Sequence, residues 1–140
     1  MTFNKILQDL MSEKSIDIKE LSKQSHIEIP TLYGYLNANT LPNLESAISL
    51  SLVFDVSIDY LLGLTEINTF IATTQIKFYD IYQKLLKTNN ISNFKVSKEL
   101  GIGRNRIYDW KKGTLPKIST LISLSKYFNV SVEYLLGRCE

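Results

Sequence analysis

Basic side chains crowd into one short segment of this 140-residue sequence. Arg104, Arg106, Lys111 and Lys112 all lie between positions 104 and 112. Guanidinium and ammonium groups at this density attract a polyanion. A basic face on a small protein is also often only a solvated surface, and the residue types by themselves leave both interpretations open.

The charge of the whole chain, +2, hides an asymmetry between its two parts. Residues 1–64 carry four lysines and eight acidic side chains, a net charge of −4. Residues 65–140 carry twelve basic and six acidic side chains, a net charge of +6. A polyanion is therefore attracted to the second part of the chain and mildly repelled by the first.

Residue types that serve catalysis or metal binding are scarce. His26 is the only histidine and Cys139 the only cysteine, which excludes an internal disulfide and a thiol–metal cluster. No Ser/His/Asp, phosphate-loop or metal-ligand pattern occurs, so His26 is predicted to be a turn residue and Cys139 to be incidental. We expect a protein that is not an enzyme and that binds no metal or cofactor.

The composition is that of a globular protein, with 44% hydrophobic and 21% charged residues. No run of about 18 apolar residues is present, and the first five residues lack the pattern of a secretory signal. We expect a cytoplasmic protein without a membrane segment.

The sequence contains an internal repeat. Phe3 and Tyr33 recur as Phe78 and Tyr108, a spacing of 75 residues. One residue is then lost in a loop, and the spacing becomes 74. The motifs Leu-Pro, Ile-Ser-Leu-Ser and Tyr-Leu-Leu-Gly begin at 41, 48 and 60 in the first copy and at 115, 122 and 134 in the second. Matching identities on both sides of one deletion indicate two copies of a unit of about 60 residues.

Each copy is predicted to fold as five short helices, because apolar residues recur at spacings of three and four between capping and turn residues. The fold class is all-α, since no long alternation of apolar and polar residues predicts a strand. We predict an N-terminal domain at 1–64, a linker at 65–75 and a C-terminal domain at 76–140. The linker contains Ile67, Phe70 and Ile71 and is expected to pack on a domain or to join a dimer contact.

The helices of the second copy have clear boundary signals. Ser92 is a good N-cap for a helix at 93–100, and Gly101 ends that helix because it tolerates positive φ. A further helix begins near Gly103 and ends before Gly113. The inner face of the copy's first helix is predicted to carry Phe78, Ile81, Leu85 and Leu86.

The second and third helices of each copy have the residues that two short, steeply crossing helices require. Such helices need apolar residues inside, a small residue where they touch and a turn residue that adopts positive φ. Ser97 and Gly101 meet these needs in the second copy, whereas Ser22 and His26 stand at the same places in the first. The inner residues are predicted to be Val96, Leu100, Ile102, Ile107 and Trp110 in the second copy, and Leu21, Ile27, Leu32 and Tyr35 in the first.

Each copy resembles the phage-repressor and Cro-like helix-turn-helix family, the lambda-repressor or Xre type. The segment 96–113, with Leu-Gly-Ile-Gly at 100–103, carries the resemblance together with the Leu-Pro and Tyr-Leu-Leu-Gly motifs. In that family the third helix of each domain lies in the major groove of double-stranded DNA, and residues near its N-terminus touch base edges. The resemblance implies two tandem five-helix DNA-binding domains.

Carried over to this sequence, the resemblance predicts that Arg104, Asn105 and Asp109 face bases. Arginine suits the O6/N7 edge of guanine and asparagine the N6/N7 edge of adenine. Asp109 either accepts from cytosine N4 or orients Arg106. Tyr108 is left open between phosphate contact and surface packing. Phosphate contacts are expected from Ser92, Asn93, Lys111, Lys112, Thr114 and Lys117.

The first copy differs from this pattern at the positions that are predicted to face bases. Its counterparts of Arg104, Asn105 and Arg106 are Ile29, Pro30 and Thr31, which offer little to base edges. One explanation is a weak second DNA reader; the other is a surface for a protein or a second chain. The acidic charge favours the second explanation, in which a homodimer or protein partner binds the apolar helix. The candidate surface comprises Ile29, Pro30, Thr31, Tyr33 and Asn37, with Leu32 beside them.

The sequence therefore predicts a DNA-binding transcriptional regulator, specifically a repressor of phage or mobile-element type that occupies an operator. Repression as opposed to activation follows from the family resemblance alone. The alternative is an antirepressor, inhibitor or antitoxin that uses the same helical scaffold to bind a protein.

Overall fold

The computed structural model describes residues 1–38, 40–73 and 75–138. This part of the chain contains ten α-helices and no strand, which confirms the all-α fold class. Contacts divide the chain into two compact units, Met1–Thr74 and Gln75–Glu140. Cys139 lies outside the described residues, and its predicted incidental role stays a prediction.

The first unit contains five helices. They are α1 (Phe3–Lys14), α2 (Ile18–Ser25), α3 (Ile29–Ala38), α4 (Leu44–Phe54) and α5 (Ile58–Leu61). Helix α1 packs on α3 and α5, and α2 packs on α3 and α4. The core between them is apolar, and the ring of Phe3 meets the ring of Tyr35 edge-on at 5.5 Å.

The second unit repeats this arrangement with α6 (Phe78–Asn89), α7 (Asn93–Leu100), α8 (Arg104–Lys111), α9 (Ile118–Phe128) and α10 (Val132–Leu135). Its helices begin 75 residues after α1, α2 and α3, and 74 residues after α4 and α5. Helix α7 packs on α8, and α10 packs on both α6 and α9.

Local sequence signals explain where these helices begin and end. The side chains of Asp17 and Ser92 accept hydrogen bonds from the backbone N–H of the residue three positions later, at the starts of α2 and α7. The caps at the ends are left-handed: His26 has φ 60° and Gly101 has φ 66°. Gly101 adopts this conformation at little cost, whereas a residue with a Cβ is less favourable there.

An aromatic cluster fills the core of the second unit. Tyr82 is fully buried, and its ring lies 5.3 Å from Trp110 and 6.4 Å from Phe128. Phe78 and Leu85 are buried as predicted, whereas Ile81 and Leu86 are only half-buried. The inner row predicted for α6 was therefore wrong at two positions and missed Tyr82.

The segment after α5 is attached to the first unit by one asparagine. Asn68 Oδ1 accepts a hydrogen bond from the backbone N–H of Ser57 at 2.9 Å, and Asn68 Nδ2 donates to the carbonyl of Asp55 at 2.9 Å. Two bonds from one side chain hold this stretch against the start of α5. Among the described residues, no helix is both long and apolar enough to cross a membrane.

Candidate nucleic-acid interface

A tight turn joins α7 to α8 and sets how α8 is presented. Gly101 ends α7 in the left-handed conformation, and the hydroxyl of Ser97 donates to the carbonyl of Ile102 at 2.5 Å. In the first unit Ser22 makes the same bond to Ile27, at 2.6 Å. This hydrogen bond stabilises the turn, and the small serine side chain lets the two helices approach closely.

One face of α8 is anchored in the core. Ile107 and Trp110 are buried, and Trp110 meets the rings of Phe78 and Tyr82 edge-on at 5.2 and 5.3 Å. Edge-to-face aromatic packing contributes about 0.5–1.5 kcal/mol per pair beyond the area that it buries. The anchoring therefore fixes the rotation of α8 about its axis.

The opposite face of α8 is exposed and rich in hydrogen-bond donors. The residues that it exposes, together with the C-cap, are Arg104, Asn105, Arg106, Tyr108, Asp109, Lys111 and Lys112. Four of them are cations and one is an anion, so the face is basic. In the part of the chain that the structure describes, Arg106 forms no ion pair with Asp109.

Two of the cations lie against aromatic rings. The guanidinium of Arg104 is 5.1 Å from the ring centroid of Phe94, on α7. At the other end of α8, Lys112 Nζ lies 4.6 Å from the ring centroid of Tyr108. Phe94 is 57% exposed and Tyr108 58% exposed, so both rings lie largely at the surface beside their cations. Phe94 is not among the contact residues predicted from the sequence.

The start of α7 presents polar groups beside α8. The hydroxyl of Ser92 accepts from the backbone N–H of Lys95 at 3.1 Å. The hydroxyl of Tyr82 donates to Asn93 Oδ1 at 2.7 Å, and burial raises the pKa of Tyr82 above its ordinary value. Asn93 thus accepts with its amide oxygen, and its NH₂ group remains as a donor.

Grooves flank α8 on both sides. The larger, of about 460 Å³, is bordered by Asn93, Phe94, Arg104 and Lys111. The smaller, of about 170 Å³, is bordered on α8 by Arg106 and Asp109, and beyond the helix by Thr114 and Lys117. The predicted contact residues therefore surround α8: Asn93 lies on one side of it, and Thr114 and Lys117 on the other.

The corresponding helix of the first unit, α3, has a different surface. It contains no charged residue. Pro30, Thr31, Tyr33 and Asn37 are exposed and Ile29 is half-buried. Leu32 is completely buried in the core of the unit, which confirms its predicted inner position and excludes it from the partner surface.

Comparison with known proteins finds one family that matches part of the second unit. Residues 83–138 match the family described as a helix-turn-helix domain. The matched residues include α7, the turn and α8. No curated protein matches the chain. Among solved structures, the chain is similar to the crystal structure of a transcriptional regulator from Listeria innocua, with 24% identity, a TM-score of 0.41, and coverage of 69% of this chain and 84% of that one.

Proposed function

We propose that this protein is a transcriptional regulator that binds double-stranded DNA, and that it consists of two tandem domains of the lambda-repressor type. The observation that carries the proposal is α8, which is anchored by Ile107 and Trp110 and presents a basic, donor-rich face outward. An α-helix fits the major groove of B-form DNA, where the edge of each base pair has its own pattern of donors and acceptors.

Base recognition is assigned to the N-terminal half of α8. Arg104 pairs with the O6 and N7 atoms of a guanine, and Asn105 with the N6 and N7 atoms of an adenine. Asp109, which has no ion pair with Arg106 among the described residues, is free to accept from cytosine N4. Each good bidentate contact contributes about 1–3 kcal/mol of discrimination against a wrong base.

Phosphate contacts are assigned to residues on both sides of the reading helix. Ser92 and Asn93 lie at the start of α7, where free backbone N–H groups and the helix dipole favour an anion. Lys112, Thr114 and Lys117 are assigned to the other strand. Lys111 borders the same groove as Asn93 and is assigned to a phosphate on that side. Such contacts set register and affinity without reading sequence.

The regulatory effect that we propose is repression by occupying an operator and blocking polymerase, in a system of phage or mobile-element type. The helix-turn-helix match at 83–138 supports DNA binding. Repression itself rests on the resemblance to phage repressors. The protein acts in the cytoplasm and needs no catalysis, metal or cofactor.

A second role is proposed for the first unit, namely binding a protein or a second copy of the chain through α3. The uncharged surface of α3, with Tyr33 49% exposed near Pro30, favours this role over base reading. On this proposal the first unit regulates or dimerises, and the second unit binds DNA. An antirepressor or antitoxin would use only the α3 surface of the first unit.

Selection of bound sequences from random duplexes, with the mass of the complex measured, tests the proposal. A recovered motif together with an affinity that falls steeply with salt supports it, because each neutralised phosphate adds about 0.9 to the log–log slope. Two motifs one helical turn apart would assign DNA reading to both units. No binding to any duplex at low ionic strength would overturn the regulator proposal in favour of a protein-binding role.

A further inference from the structure

Phe94 occupies a position that core packing does not explain. It lies in the first turn of α7, more than half of its surface is exposed, and it borders the larger groove beside α8. Removing apolar surface from water is favourable, so a ring that is largely exposed gains from a group that covers it. Its partner in the structure is the guanidinium of Arg104, 5.1 Å from the ring centroid.

A stacked guanidinium keeps its hydrogen-bonding edge available. The ring faces the guanidinium carbon at 5.1 Å and takes up no conventional hydrogen bond, so the N–H donors of the group remain available to a base. An exposed arginine otherwise samples many rotamers, and it loses that freedom when it binds a base edge. Contact with Phe94 already restricts the Arg104 side chain in the free protein, so less conformational entropy is lost when DNA binds.

We propose that Phe94 is a positioning residue for sequence recognition, which holds Arg104 on its ring so that the guanidinium edge is ready for a guanine. The proposal rests on the DNA-binding function proposed above. Its consequence is selective, because a duplex without that guanine does not use the bidentate contact. Phe94 therefore increases the preference for guanine and leaves affinity for other sequences unchanged.

The chain contains two internal controls for the role of Phe94, namely the first unit and the pair of Tyr108 with Lys112. In the first unit the counterparts of Phe94 and Arg104 are Lys19 and Ile29, so that unit has no such pair. In the second unit Tyr108 lies under Lys112, a residue assigned to phosphate. Loss of the Tyr108 ring should weaken binding to all sequences alike, whereas loss of the Phe94 ring should reduce selectivity.

The test begins with the duplex recovered by the full-length protein and with a series carrying single base-pair changes. The guanine read by Arg104 is the position at which Arg104→Ala loses discrimination. Phe94→Leu, which keeps an apolar side chain in the helix, should lower the guanine-to-adenine affinity ratio at that position by about two- to fivefold, the range for an exposed cation–π contact. Phe94→Tyr retains the ring and should retain the ratio.

A double-mutant cycle separates positioning from general structural damage. In an Arg104→Ala background, Phe94→Leu should leave the ratio unchanged, since no guanidinium remains to be held. Tyr108→Leu should lower affinity for both duplexes and keep their ratio. Thermal unfolding followed through Trp110 checks that each variant is folded.

The outcomes distinguish this inference from the function on which it rests. Failure of the wild-type protein to bind any duplex overturns the proposed function itself. If the wild-type protein binds selectively, then either an undiminished ratio in Phe94→Leu or the absence of any position that depends on Arg104 overturns the role of Phe94 alone.

Discussion

The hydroxyl of Tyr82, buried in the core of the second unit, donates a hydrogen bond of 2.7 Å to Oδ1 of Asn93 at the start of α7. The bond connects the aromatic core to the exposed end of a helix. It also fixes which end of the asparagine amide faces outward, and it leaves the NH₂ group for an acceptor such as a phosphate oxygen.

Tyr82→Phe is predicted to weaken DNA binding without changing sequence preference. The substitution removes one neutral hydrogen bond, worth about 0.5–1.5 kcal/mol of unfolding free energy, and lets the Asn93 amide rotate. Affinity for specific and non-specific duplexes should fall by the same factor in a fluorescence anisotropy titration. Tyr79→Phe, on the same helix, is the control. A change in sequence preference in Tyr82→Phe would contradict the assignment of Asn93 to phosphate.

Tyr82 also predicts how stability changes at alkaline pH. Its pKa in the folded protein is raised above the ordinary value of 10.0, first by burial and then by the neighbouring Tyr79 and Tyr127. The unfolded chain therefore loses this proton at a lower pH than the folded protein does. The stabilisation is fully present below pH 10 and is lost as pH rises further, by up to about 1.4 kcal/mol per pH unit.

The check is urea unfolding of wild-type protein and Tyr82→Phe between pH 8 and about pH 11. The difference between their unfolding free energies should be constant at first and shrink above pH 10. The pKa of Tyr127 is raised as well, by its hydrogen bond to Glu99, but both proteins share that contribution. A constant difference at every pH would mean that Tyr82 does not titrate differently in the two states.

Much of the fold could be predicted because its signals are local. Ser92 and Gly101 mark the ends of α7 through capping and positive φ, which act within one helical turn. The two units have helices at the same offsets as the sequence repeat. The burial of Trp110 likewise followed from its helical spacing with Ile107.

Contacts between side chains that are distant in the sequence could not be predicted. Tyr82 replaces Leu7 of the first copy, and nothing in that substitution shows that a buried hydroxyl meets Asn93. The pairing of Phe94 with Arg104 depends on the angle that the turn gives α8 relative to α7. The sequence shows a phenylalanine in the first turn of α7. It does not show that the guanidinium of Arg104 lies beside that ring.

Gly101→Ala is predicted to destabilise the second unit, and His26→Gly is predicted to stabilise the first. Both residues occupy the left-handed conformation at the same point of the repeat. A Cβ added at Gly101 meets no atom within 4 Å, so Gly101→Ala should cost only the conformational energy, about 1–2 kcal/mol. His26→Gly should relieve a similar cost in the first unit.

Trp110 is the only tryptophan and lies in the second unit, so its fluorescence reports the unfolding of that unit. Hydrogen exchange reports the first unit. If Gly101→Ala left the second unit at wild-type stability, the left-handed conformation would not be a significant cost at this turn.

The second unit contains a buried ion pair that predicts a large loss of stability. Arg138 Nε lies 3.3 Å from Glu133 Oε2, and both side chains are buried. Arg138→Met leaves the carboxylate of Glu133 without this cation, and the loss of one partner from a buried pair costs about 3–5 kcal/mol. Urea unfolding followed through Trp110 should show the loss.

Replacing both partners separates the charge from the packing. Glu133→Leu combined with Arg138→Met removes both charges and should recover most of the stability, because apolar groups of similar volume need no ion pair. Leu64→Met, at the counterpart of Arg138 in the first unit, should leave the Trp110 transition unchanged. A double variant as unstable as Arg138→Met would indicate that packing, and not charge, determines the loss.

Arg104→Ala and Thr31→Ala provide the most direct comparison of the two units. Both residues are exposed and lie in the first turns of equivalent helices, but only Arg104 has donors that fit a guanine edge. Arg104→Ala should weaken specific binding by about 1–3 kcal/mol and relax the preference at one base pair. Thr31→Ala should change specific affinity little. Titrations of both variants with the selected duplex decide the matter, because loss of binding in Thr31→Ala with retention in Arg104→Ala would reverse the assignment and make α3 the helix that reads DNA.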